Sequence, residues 1–202
     1  MTLRYRGFAL IGLLSVIAAC SSDKTTGVNG NVSGSVSFTY SGAGQTNATY
    51  AATGAISSTT SSSAAYTKTW AAAYKDNADQ STNLVANLVR GSKSDLLVIT
   101  MASQSTGNTT IDSNCNSTST TACTDVVLAI GVSSDGSNFD YVCVLESGSV
   151  SITSLSGSNA QGTFSGAGTC TQTVQPFATS TWTVTNGSFN VPVLASPPQV
   201  GG

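Results

Sequence analysis

Residues 82–103, TNLVANLVRGSKSDLLVITMAS, carry the clearest folding instruction in the chain. Two apolar runs flank the tetrapeptide GSKS (91–94), a turn of the kind that folds one strand back along the other. The segment therefore predicts a β-hairpin. The same pattern recurs downstream, where DVVLAIGV (125–132) and FDYVCVLE (139–146) flank SSDGSN (133–138), in which Asp135-Gly136 is a strong turn dipeptide. SVSITSLSG (149–157), AQGTFSGAGT (160–169) and STWTVTNGSFNVPVL (180–194) supply further strands, the last with Asn186-Gly187 as a turn or bulge.

Upstream the signal is weaker. VSGSVSFTY (32–40) sets Val32, Gly34, Val36, Phe38 and Tyr40 on one parity and small polar residues on the other, which is strand alternation. ATYAATGAI (48–56) is a poorer strand, and SSTTSSSAA (57–65) is a low-complexity polar loop. YTKTWAAAYKD (66–76) reads as a strand, with Tyr66, Lys68, Trp70, Ala72 and Tyr74 alternating against Thr67, Thr69, Ala71 and Ala73. No segment keeps a helical period over three turns. About nine or ten short strands predict an all-β fold, an antiparallel β-sandwich, with an open β-barrel as the alternative. A transmembrane barrel fits less well, because the strands are short and Trp70 and Trp182 do not mark repeated girdles.

Composition agrees with such a chain. It has 202 residues, of which 8% are charged and 40% hydrophobic, too apolar for disorder over the whole length. Ser and Thr are expected on the wet faces of the strands and Val, Ile, Leu and Phe on the dry ones. Without a basic cluster the protein is a poor partner for nucleic acid, whose affinity comes from Lys and Arg on phosphates.

The first residues have a different grammar. Arg4 and Arg6 precede the apolar core FALIGLLSVIA (8–18), which has the length of a signal peptide and falls short of a membrane-spanning helix. The core ends in IAAC (17–20), which resembles the lipobox of bacterial lipoproteins. That resemblance implies cleavage before Cys20, a diacylglyceryl thioether on its sulfur and an acylated new N-terminus. Several acyl chains give a durable hold on a membrane where one gives a marginal hold. Ser21 follows the cysteine, where Asp commonly marks inner-membrane retention in that family, so the resemblance favours the outer membrane. Cleavage would leave five basic side chains against nine acidic ones, a net charge of −4. The expected organisation is a signal peptide at 1–19, the lipidated cysteine and a flexible tether at 20–30, one β-sandwich domain at 31–196 and a tail at 197–202.

GTFSGAGTC (162–170) followed by WTVTNGSFNVPV (182–193) is similar to the closing strands of small β-rich bacterial lipoproteins. The resemblance implies structural roles alone: Phe164 and Phe189 in the core, and Gly162, Gly166 and Gly187 where backbones approach closely.

With Cys20 assigned to lipid, Cys115, Cys123, Cys143 and Cys170 remain, an even number that suits two disulfides in an oxidising compartment. Pairing Cys115 with Cys123 would staple the Ser/Thr loop NSTSTTA, and Cys143 with Cys170 would join neighbouring strands or facing sheets. A four-thiolate metal site is disfavoured, since the chain has no C-x-x-C pair and no histidine.

The absence of histidine also removes the Ser-His-Asp and Cys-His arrangements, and no G-x-S-x-G elbow, P-loop or dinucleotide fingerprint is present. Ser21-x-x-Lys24 has the spacing of a Ser-Lys dyad but lies on the tether. Asp76, Asn77, Asp79 and Asn83, and separately Asp135, Asn138 and Asp140, offer oxygen ligands for calcium, although neither group has EF-hand spacing. Such residues more commonly build turns. Glu146 is the sole glutamate, a weak basis for a glycosidase pair. Tyr40, Tyr50, Tyr66, Trp70, Tyr74 and Trp182 would either line a ligand face or fill the core. No cofactor is indicated. The sequence thus points to a non-enzymatic, lipid-anchored envelope protein with a structural, adhesive or ligand-presenting role. The alternatives are a binding module for a glycan, peptide or envelope protein, and a carboxylate- or metal-dependent hydrolase.

Overall fold

The computed structural model describes residues 32–58, 60, 62–112 and 123–198. They form ten strands and one short helix: β1 (Val32–Gly42), β2 (Gln45–Ile56), α1 (Ser62–Tyr66), β3 (Trp70–Asp76), β4 (Ser81–Arg90), β5 (Lys93–Met101), β6 (Gly107–Thr110), β7 (Asp125–Val132), β8 (Tyr141–Leu155), β9 (Asn159–Gln172) and β10 (Thr179–Leu194). The hairpin at 82–103 is β4 and β5, paired from Thr82↔Met101 to Arg90↔Lys93.

The chain is all-β, but it is not a sandwich. Seven strands close a ring in the order β10-β3-β4-β5-β7-β8-β9, with β9 returning to β10. Six of the seven junctions are antiparallel, and β10 meets β3 in parallel through Val193↔Ala73 and Leu194↔Tyr74, which makes the barrel mixed. Strands β1, β2 and β6 lie outside the ring. Closure comes from long strands that serve two neighbours along one edge. β10 pairs with β1 over 183–190 and with β3 only at its last residues, and β8 pairs first with β7 and then with β6. Both edges of the β3-β4-β5-β7 block are thereby bonded, and the open edges of a sandwich disappear.

Two apolar clusters follow from this closure. Leu84, Ala86, Leu97, Ile99, Met101, Val126 and Leu128 point inward to meet Leu145, Val150, Phe164, Trp182, Val184 and Phe189 from the long strands. Phe38 stacks on Tyr50 with ring centroids 4.7 Å apart and meets Phe164 edge-on at 5.5 Å. The opposite face of the β3-β4-β5-β7 block buries Trp70, Ala72, Tyr74, Val85, Leu96 and Ala129 beneath Ile56, Ala65, Tyr66 and Leu194. These strands are dry on both faces, which is why they read as unbroken apolar runs.

Several local expectations change. Tyr66 ends α1, within what reads as loop and strand, and the strand begins only at Trp70. Asn87 explains the switch: its Nδ2 donates to the carbonyls of Ala65, Tyr66 and Lys68 at 3.2, 3.3 and 2.8 Å, and Trp70 Nε1 donates to Ala65 O at 2.7 Å. A short helix end held by side chains from β3 and β4 prevails over local alternation. FDYVCVLE and SVSITSLSG share one strand, β8, and a further short strand, β6, lies between β5 and β7 where the sequence pattern marks no strand. Asn186-Gly187 is a bulge, with Asn186 at φ 55° and a register shift between Val184 and Gly187. Phe164 and Phe189 are buried, and a Cβ at Gly162 or Gly187 would meet Ser151 O at 2.1 Å or Phe164 O at 2.3 Å.

Candidate functional site

Cys143 and Cys170 are register partners in β8 and β9 and form a fully buried disulfide within the barrel. Cys123 is disulfide-bonded, while Cys115 lies outside the described residues. Cys20, the lipobox-like residues and the Ser21–Lys24 spacing also lie outside them.

The carboxylates proposed from the sequence for calcium have other occupations. Asp76 Oδ1 accepts from Ala78 N at 2.9 Å and Asp79 Oδ1 from Ser81 N at 3.0 Å, so both close the β3–β4 turn. Gln104 clamps the same turn, donating to Asp76 O at 2.8 Å. Asp135 Oδ1 takes hydroxyl protons from Ser133 and Ser137 and the amide of Ser137. These bonds hold its carboxyl down at about 2. Asp140 pairs with Lys93 Nζ at 2.7 and 2.8 Å. Both partners are about half exposed, so the pair contributes under about 1 kcal/mol. Among the described residues, no three His, Cys, Asp or Glu side chains converge on a point that could hold a metal.

The six aromatic side chains considered for a ligand face are all buried. They build the two apolar clusters, and none offers a stacking platform. Among the described residues the exposed large apolar side chains are instead Val32, Val174 and Phe177. Val174 and Phe177 share the β9–β10 turn, closed by Phe177 N donating to Val174 O at 2.9 Å. Thr173 N ties that turn to the β7–β8 loop by donating to Asp140 O at 2.9 Å.

An ion pair with one buried partner occupies the end of the barrel at the β4–β5 turn. Asp95 points inward from β5 with a side chain 3% exposed, and Arg90 Nε donates to its Oδ2 at 2.5 Å. Asp95 Oδ1 accepts from Gly131 N at 3.1 Å. This second bond has a clear cause. β7 carries an extra residue opposite Asp95, where the register jumps from Ser94↔Val132 to Leu96↔Ala129, and the bulge takes an amide off the ladder. Gly131 suits that position with φ 72°, and a Cβ there would strike Asp140 Oδ2 at 2.1 Å. Arg90 also caps an outlying strand, donating from Nη2 to Thr49 O at 3.0 Å. Tyr50 OH lies 2.8 Å from Ala86 O and 3.2 Å from Asp95 O, to which it donates. Burial, and secondarily the Asp95 charge, pushes the Tyr40 and Tyr50 hydroxyls above their usual range.

A polar row crosses the other face of the block, through Tyr74↔Asn83, Asn83↔Thr100 and Thr100↔Asp125. Thr100 Oγ1 donates to Asn83 Oδ1 at 3.0 Å, and Asn83 Nδ2 donates to Ser81 Oγ at 2.9 Å. Burial raises the Asp125 carboxyl to about 6, against a smaller opposing effect of the Val126 amide. Tyr74 is pushed up by burial and then by Asp76 and Asp79.

Comparison with protein-family models, curated proteins and solved structures finds no match. Function must therefore be argued from the chain's own chemistry. Neither Asp95 nor Asp125 stands out by motif. Asp95 had one available signal, because it shares the inward parity of Leu97, Ile99 and Met101. An acid on that parity needs a partner, and two cations lie within five residues, Lys93, which pairs with Asp140, and Arg90, which reaches Asp95 across the β4–β5 turn.

Proposed function

We propose that this protein is a non-enzymatic, lipid-anchored protein of the bacterial cell envelope, tethered through an acylated Cys20 to the outer membrane, where it has a structural, adhesive or ligand-presenting role. The observation that carries the reading is the buried Cys143–Cys170 disulfide, since such bonds persist in oxidising compartments. IAAC at 17–20 after an apolar core supports export with lipid attachment. The use of Asp76, Asp79, Asp135 and Asp140 in turns and a surface ion pair favours a scaffold over a hydrolase, which needs converging carboxylates. A binding module is the second reading. It is favoured by the Val174–Phe177 turn, where two large apolar side chains, 56% and 53% exposed, are held at a hydrogen-bonded tip.

Intact mass of the membrane-extracted protein, wild type beside Cys20→Ala, tests the anchor. The expected result is a mature N-terminus at Cys20 carrying acyl mass in the wild type, with four thiols released only on reduction. An unmodified Cys20 thiol would refute the anchored reading, and four reactive thiols before reduction would refute the oxidising compartment.

A further inference from the structure

Beneath α1 the barrel wall buries polar atoms that its own side chains do not satisfy. β4, β5 and β7 stand side by side there, and the register Val89↔Ser94↔Val132 runs next to Asn87↔Leu96↔Ala129. Leu96, Ala129 and Val132 belong to the apolar cluster under α1, so Asn87 and Ser94, which share their parity, face that cluster too. Tyr66 covers both. Its carbonyl accepts from Asn87 Nδ2 on β4, while a Cβ at Gly136, in the turn after β7, would lie 2.8 Å from its hydroxyl oxygen. The side chain therefore crosses β5 above Ser94.

Among the described residues, Tyr66 Oη, Asn87 Oδ1 and Ser94 Oγ have no hydrogen-bond partner in the protein, although these residues are only 3%, 0% and 1% exposed. Turning the Asn87 amide over would not help. Its nitrogen donates to the carbonyls of Ala65, Tyr66 and Lys68, which can only accept, so Oδ1 must face away from them.

We infer that these three atoms hold an internal water molecule, which donates to Asn87 Oδ1 and accepts from the hydroxyls of Tyr66 and Ser94. The mixture of partners suits water: the amide oxygen only accepts, the two hydroxyls can donate, and a buried water typically makes about three hydrogen bonds. A metal cation fits the layer poorly. The three oxygens are neutral, and the neighbouring carboxylate, Asp95, lies on the opposite parity and points into the barrel. An apolar occupant would leave all three atoms unsatisfied. Through the Tyr66 hydroxyl the water fastens the end of α1 to β4 and β5, which gives residue 66 a reason to be tyrosine where phenylalanine would fill the same space.

Magnetic relaxation dispersion of the water oxygen, measured on the full chain as wild type and as Tyr66→Phe/Ser94→Ala, tests this inference. The double variant keeps one of the three partners, fewer than the about two to four that a buried water needs. The expected result is a dispersion amplitude lower in the variant by one long-lived water per chain, with a thermal melt showing that the variant is folded at the temperature used. If the variant does not fold, a crystal structure of the wild type decides, and a density peak about 2.5–3.0 Å from all three atoms would support the water. An equal amplitude in the folded variant, no peak, a protein side chain bonded to these atoms in its place, or a peak that takes up thallium and so marks a monovalent cation would each overturn the inference.

Discussion

Replacing Arg90 by Met should destabilise the barrel far more than its partial exposure suggests, and Asp95→Asn should rescue it. Asp95 is 3% exposed, and without the guanidinium its carboxylate retains only the Gly131 amide. Breaking a buried pair by removing one partner costs about 3–5 kcal/mol. Arg90 is 46% exposed and already reaches water, so solvent screening reduces the cost to about 2–3 kcal/mol. Asp95→Asn alone removes the charge but keeps an acceptor for Gly131 N, at about 1 kcal/mol. The double variant should lie close to Asp95→Asn, giving a coupling of about 2–3 kcal/mol, the whole of the Arg90→Met loss. Trp70 and Trp182 are both fully buried, so urea unfolding followed by tryptophan fluorescence reads the whole cycle. Additive single losses, or an Arg90→Met variant within about 0.5 kcal/mol of wild type, would show that the pair is surface decoration.

Asp125 supplies a pH dependence of opposite sign to an ordinary paired carboxylate. Its folded pKa, about 6, lies above the ordinary 3.8, so its contribution is complete at low pH and is lost as pH rises through 6. Asp125→Asn should match wild type near pH 4 and exceed it by up to about 3 kcal/mol at pH 7.5, the worth of some two pKa units; a difference that does not vary with pH would contradict the burial argument. Cys143→Ala/Cys170→Ala should lose about 3 kcal/mol in urea, because the bridge closes a loop between residues 27 apart; a loss below about 1 kcal/mol would mean that the β8–β9 pairing already restrains the unfolded chain. Limited chymotrypsin digestion should cut first after Phe177, which is exposed at the β9–β10 turn, and mass spectrometry showing an earlier cut at a core aromatic would contradict the closed barrel.

Strand positions were largely legible because hydrophobic alternation and turn dipeptides are local. The β4–β5 hairpin and the Asp135-Gly136 turn follow from neighbours a few residues apart. Closure was not legible, because it rests on Val193 and Leu194 meeting Ala73 and Tyr74 across more than a hundred residues, in a parallel pairing without a turn to announce it. The same limit explains α1. Ser62–Tyr66 has no strong helical pattern, and what secures its end is Asn87 on a strand that the local sequence cannot see.

The candidate sites divide along the same line. Asp135 and its serines were readable as a turn because every partner lies within two residues. Asp125 was not, because its raised pKa comes from burial, a property of the assembled wall. Asp95 falls between: parity marks it as an acid facing inward, but the reason it is tolerated is an amide freed by a bulge on β7. That dependence runs both ways. The bulge requires an acceptor for Gly131 N, the acceptor requires a cation, and Arg90 supplies it while also holding Thr49 of β2 against the barrel. One inward-facing acid thus links ring closure to the attachment of an outlying strand, and loss of Arg90 should loosen β2 before it opens the ring, detectable as faster amide exchange around Thr49 than around Leu97.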